Sequence, residues 1–180
     1  MRKIIIATLA VFLLYACSKD DSPPDPRVAL TGEYQSHEDH LTYASREDAT
    51  SITDSTYTVP AGIHLTIRLE ESSDSLILDL EEMVDKVFSV LLVAIGAPAH
   101  VEFANRTPAF LNEDNTFQVE NQHMTITYAG ITHPASISGE ARKNGNRITF
   151  EYTIVMALAG SLDSPEDSIS FFGEIELDKQ

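Results

Sequence analysis

Ile137-Ser138-Gly139-Glu140-Ala141 runs into Arg142-Lys143-Asn144-Gly145-Asn146-Arg147, after which Ile148, Phe150, Tyr152 and Ile154 fall on every second residue. A period of two places those four side chains on one face of a strand. Asn144-Gly145 suits the positive φ values of a type I′ turn, whose twist matches that of the strands it joins. The stretch predicts a β-hairpin, and much of the remaining chain repeats its pattern.

Beyond it come an apolar run, Val155 to Leu158, an acidic loop, Ser161 to Ser168, and a last strand, Ile169 to Leu177. Phe171, Gly173, Ile175 and Leu177 share one face of that strand, which is placed to close a sheet. Upstream, the alternation starts at Tyr57 and carries Val59, Ile63, Leu65, Ile67 and Leu69. Ser72-Ser73-Asp74-Ser75 turns the chain, and Leu76, Leu78 and Leu80 return as the second arm of another hairpin. Further strands are predicted at Val101 to Phe103, Phe117 to Val119 and His123 to Tyr128. Residues 36 to 56, rich in Ser, Thr, Asp, Glu and His, read as a long surface loop or an irregular excursion.

One segment breaks the period. Leu80, Val84, Val87, Phe88, Leu91 and Leu92 recur at helical spacing, predicting a helix near residues 80–95. Asp79 is its expected cap, with Glu81 and Glu82 favourable in the first turn, and Gly96-Ala97-Pro98 stops it. Phe88 to Ile95 is apolar nearly all round and must be covered by the core or by another molecule. The sum is a mainly β chain: an antiparallel barrel or sandwich with one helix, in a single domain over 28–180.

The start of the chain is of another kind. Met1-Arg2-Lys3 is basic, Ile4 to Tyr15 is almost wholly apolar, and Leu14-Tyr15-Ala16 precedes Cys17, the one cysteine of the 180 residues. That order describes a signal peptide over 1–16, too short for a membrane span. Residues 17–27 read as a tether, the proline-rich Ser18 to Arg27 stiffening a charged linker. Leu14-Tyr15-Ala16-Cys17 resembles the lipobox of bacterial lipoproteins, and Lys19-Asp20-Asp21 looks like the tag that directs some Bacteroidetes lipoproteins outward. The resemblance implies acylation of Cys17, an outer-membrane lipid as its partner, and a location on the outer membrane facing outside. Several acyl chains, each buried CH₂ contributing about 0.8 kcal/mol, would make such an anchor stable.

Without residues 1–16 the chain holds ten basic against 28 acidic residues, a net −18. That balance repels nucleic acid and anionic lipid, so nucleic acid is not an expected partner. Thr31-Gly32-Glu33-Tyr34 and Gly173-Glu174-Ile175-Glu176-Leu177 resemble the opening and closing elements of lipocalin-like or calycin-like lipoproteins, which implies a β-barrel. Tyr34 stands where that family usually has Trp, and the helix comes after fewer strands than usual. A distinct β architecture, such as an α/β sandwich, stays open.

Chemistry is sparse. His37-Glu38-Asp39-His40 collects groups that can ligate zinc, and Asn112-Glu113-Asp114-Asn115 is rich in oxygen, but neither has the spacing of a metal motif, and no metal or cofactor is expected. No nucleophile elbow, zinc-protease motif or phosphate loop occurs, and no catalytic residue is assigned. The expected function is binding: a tethered domain taking a small apolar or amphipathic ligand along Leu65, Ile67, Leu78, Phe150, Tyr152 and Phe171, with the helix over the mouth. The alternatives are an envelope protein that binds another protein, through an exposed edge or Phe88 to Ile95, and a secreted hydrolase. An enclosed apolar cavity favours the first; a filled core with an exposed apolar patch favours a protein partner.

Overall fold

The computed structural model describes residues 25–48, 52–70, 75–93, 99–103, 109–112, 116–128 and 130–180. The signal peptide, Cys17 and the tag expected on Lys19-Asp20-Asp21 lie outside the described residues, as do 94–98 and 113–115. A 3-10 turn over Pro26–Ala29, capped by the Asp25 carboxylate accepting from the Arg27 N–H, leads into β1 (Gly32–Gln35). Then follow β2 (His40–Asp48), β3 (Ile52–Val59), β4 (His64–Leu69) and β5 (Ser75–Asp79). Helix α1 (Glu81–Val93) precedes β6 (Ala99–Phe103), β7 (Ala109–Leu111), β8 (Thr116–Tyr128), β9 (Ile131–Asn144), β10 (Arg147–Ser161) and β11 (Ser164–Lys179).

These strands form one antiparallel sheet in which β1, β4, β5, β7, β8, β9, β10 and β11 are successive neighbours. β11 then returns to β1 through Tyr34↔Lys179 and Gln35↔Asp178, so the sheet rings round partly like a barrel. β2 pairs with β11 further along, over Thr42↔Gly173 to Asp48↔Asp167, and β3 pairs with β2. β6 likewise pairs with β8 past the point where β7 does.

The core is continuous. Ile148, Phe150, Tyr152 and Ile154 of β10 are buried beside Phe171, Ile175 and Leu177 of β11, as the period-two reading expects. Met83, Val84, Val87 and Phe88 form the buried stripe of α1, and the Phe88 ring meets Phe171 edge to face at 5.0 Å. Each such side chain taken from water contributes about 1.5–3 kcal/mol, so the helix is held by its apolar stripe. Lys86 of α1 also donates to the Gly62 carbonyl at 2.7 Å.

The structure corrects several sequence expectations. Most of the described part of 36–56 is strand and not loop: only 36–39 precede β2, which pairs with β3 from His40↔Val59 to Glu47↔Ile52. The run from Tyr57 to Leu69 is two strands, because the chain turns at Pro60-Ala61-Gly62, with Gly62 at φ 82°. There, Ser36 Oγ accepts from the Ile63 N–H and an Asp39 carboxylate oxygen accepts from the Ala61 N–H. Phe117–Val119 and His123–Tyr128 are one strand, β8, with a register shift between Val119 and Gln122. The hairpin loop is Gly145-Asn146, one residue later than the expected Asn144-Gly145, because Asn144 still pairs with Arg147; Gly145 takes φ 62°. The acidic loop contracts to a turn at Leu162-Asp163, since β11 starts at Ser164. Leu80, not Asp79, stands at the start of α1, its carbonyl accepting from the Val84 N–H, while Asp79 ends β5 opposite Thr66.

Candidate functional site

β2 has its polarity reversed. His40, Thr42 and Ala44 point inward and are buried, whereas Leu41 and Tyr43, the residues between them, are 51% and 55% exposed. A strand with one face on a core ordinarily does the opposite. Phe172, directly opposite Tyr43 on β11, is 43% exposed, so the two side by side with Leu41 make an apolar stripe on the outer surface.

The inward side chains of β2 meet Tyr152. Its hydroxyl lies 2.7 Å from Thr42 Oγ1 and 3.1 Å from His40 Nε2, and the two rings stand edge to face. Burial pushes the Tyr152 phenol up to about 12 despite the Thr42 hydrogen bond, so it stays a neutral hydroxyl. His40 Nδ1 is buried with no hydrogen-bond partner among the described residues. Burial holds the imidazole below its ordinary value, against the pull of nearby Asp39, so His40 is neutral. Gly139 and Gly173 lie opposite Tyr152 on the strands either side, and a Cβ at Gly173 would stand 2.5 Å from the Tyr152 hydroxyl oxygen. Gly173 makes room for the Tyr152 ring, and Gly139 for the neighbouring Phe150 ring.

An open cleft of about 870 Å³ is lined by His40 and Tyr152 of this knot, by the Leu41–Tyr43–Phe172 stripe and by acidic side chains, among them Glu38, Glu140, Glu151 and Glu174. Three of these form a row across the sheet: Glu140 is directly opposite Glu151, and Glu151 directly opposite Glu174. Opposed residues stand about 5 Å apart, and like charges so placed destabilise a sheet. Arg142 approaches Glu140 at 3.8 Å. Arg147 is committed to Glu176 and Asp178, at 2.6 and 2.9 Å. Glu151 and Glu174 have no basic partner among the described residues.

The six residues expected to hold a ligand, Leu65, Ile67, Leu78, Phe150, Tyr152 and Phe171, all belong to the packed core, each no more than 3% exposed. His37-Glu38-Asp39-His40 is split: His40 is buried while the other three are exposed. Among the described residues, no three of His, Cys, Asp and Glu gather as a metal site. The cleft residues escaped the sequence reading for one reason. Leu41 and Tyr43 do alternate with Thr42 and Ala44, but the pattern was masked by polar residues on the inward side. Compared with protein-family models, curated proteins and solved structures, the chain matches none.

His40 gives a pH prediction. Its folded-state proton affinity is depressed, so the unfolded chain binds the additional proton. The stabilising contribution is therefore complete above the ordinary value of 6.5 and is lost as pH falls through that value toward the folded one. Denaturant midpoints measured from pH 7.5 to 5 should fall more steeply for the wild type than for His40→Gln. Parallel profiles would exclude His40 as the source.

Proposed function

We propose that the chain is an envelope-anchored binding domain, acylated at Cys17 and facing outward, that receives a protein partner on its outer surface and performs no chemistry. The observation that carries this is the Leu41–Tyr43–Phe172 stripe, three large side chains left in water beside a core that buries Met83, Val84, Val87 and Phe88 of α1. Exposed apolar groups that adjoin one another mark contact surfaces, whereas scattered ones do not. The nearby hydroxyl and imidazole serve to pin β2 to β10, so the stripe is held on a rigid support.

A lipocalin-like kinship draws support from the strand order and from the closure, where Gly32-Glu33-Tyr34 meets the last strand and the Lys179 ammonium lies 5.9 Å from the Tyr34 ring centre. Carriage of a small amphipathic ligand is the second reading. It would require α1 to lift Phe88 from its edge-to-face contact with Phe171.

A photo-crosslinking amino acid in place of Tyr43, tested in intact cells, should give one discrete adduct with an envelope protein. The same group in place of Ile131, equally exposed on β9, should not. Absence of the adduct, or the same adduct from both positions, would refute the docking face; a co-purifying lipid in its place would favour carriage. Cys17→Ala should release the protein from the membrane fraction, and continued association would refute the anchor.

A further inference from the structure

Resting on that reading of the outer face, we infer that the surface is built for an extended basic segment of a protein partner, carrying cationic side chains next to an apolar one. Two independent features converge. The first is the row Glu140–Glu151–Glu174, spanning three strands with the directly opposed carboxylates of Glu151 and Glu174 uncompensated among the described residues. Neighbouring strands are about 4.8 Å apart, so the row offers two gaps between its three carboxylates. A cation in each gap would face two carboxylates at once and remove the repulsion that the free protein carries. Net charge alone does not explain the row, since any excess of acid can be scattered instead of aligned.

The second feature is the row one step along, shifted by one strand onto β10, β11 and β2, in which Phe172 and Tyr43 are the large apolar members. Glu174 follows Phe172 by two residues and Glu151 precedes Thr153 by two, so Thr153, Phe172 and Tyr43 lie side by side on the same outer face. Two residues advance a strand by about 7 Å, the reach of one lysine or arginine side chain beside a neighbouring apolar residue. Tyr43 and Phe172 are both exposed aromatic side chains, a residue type that attracts ammonium and guanidinium groups. Charge complementarity selects a basic partner over an acidic or neutral one. The apolar row selects a protein segment over a free polyamine, which has no large apolar side chain to place there. The site violates local stability rules twice, by opposed carboxylates and by exposed aromatics; such violations are expected where function demands them.

The test is calorimetric titration of the full-length chain at about 0.15 M salt, where long-range attraction is screened within about 8 Å. The probes are an alternating lysine–phenylalanine peptide, its lysine–serine and glutamate–phenylalanine analogues, and spermidine. The lysine–phenylalanine peptide should bind at least tenfold more tightly than the other three. Glu151→Gln/Glu174→Gln should weaken it tenfold or more, and so should Tyr43→Ser/Phe172→Ser. Glu33→Gln/Glu81→Gln, an equal loss of charge at exposed sites on β1 and α1, should change it less than twofold. Glu151→Gln/Glu174→Gln should melt no lower than wild type, which excludes unfolding as the cause. Equal weakening by both glutamate pairs, or spermidine or the lysine–serine peptide binding as tightly, would overturn the inference, as would no binding. Preference for the glutamate–phenylalanine peptide would sink the basic partner yet leave the docking face standing. The crosslink at Tyr43 tests that face separately.

Discussion

Phe171→Ala should lower the stability of the protein by about 3–5 kcal/mol, the range for deleting a buried aromatic side chain. The residue is wholly buried near the middle of β11, and its ring meets Phe88 edge to face, so it joins the sheet to α1. Truncation removes both the transfer contribution of the ring and the surface against which α1 rests. Domains of this size are commonly stable by about 5–15 kcal/mol, so the loss is a large share of the total. Denaturant unfolding should show a lower midpoint with an unchanged slope. Amide exchange should accelerate more in α1 than in the β9–β10 hairpin. A loss below about 1 kcal/mol would mean that α1 is not anchored through Phe171.

Gly139→Ala is expected to cost about 3 kcal/mol, at the upper end for overpacking. The new methyl would fall on the Glu151 carbonyl oxygen and stand 2.6 Å from Phe150 Cε2. A carbonyl held in the β9–β10 ladder cannot turn aside without losing its hydrogen bonds, and Phe150 is fully buried. Gly173→Ala should cost a comparable amount, about 2–3 kcal/mol, because its methyl would stand 2.6 Å from Cζ of the buried Tyr152 ring, whose hydroxyl is tied to Thr42 and His40. Equal thermal melting of Gly139→Ala and wild type would show that the strand shifts to accept the methyl. The reason for glycine at 139 is space, not a left-handed backbone, and a sequence reader has no means of seeing that.

What was legible in the sequence was legible because one physical rule sufficed locally. Ile148, Phe150, Tyr152 and Ile154 alternate, and so do Leu65, Ile67 and Leu69, because a half-buried strand must send every second side chain inward. Helix α1 announced itself through Val84, Val87 and Phe88 at a spacing no strand uses. The β2–β3 hairpin was not legible. Its inward residues are His40 and Thr42, whose polar atoms are tolerated inside only because Tyr152, 112 and 110 residues away in the chain, hydrogen-bonds them. Its outward residues are apolar, so the usual cue for which face is buried points the wrong way. The loop position at Gly145-Asn146 was missed for a milder reason: the register of a hairpin is set by the pairing of whole strands, not by the two best turn residues.

The sequence by itself determined a mainly β chain with one helix and the identity of most core residues, since burial of apolar surface imposes its period directly on the residue order. Only the tertiary structure decided that the sheet rings round to pair its first strand with its last. It also decided that Glu140, Glu151 and Glu174 stand in one row beside Tyr43 and Phe172. Those residues come from four strands up to 131 positions apart, from Tyr43 to Glu174, and no local period relates them. Hydrogen-bond register across strands brings them together, and register is a property of the assembled sheet.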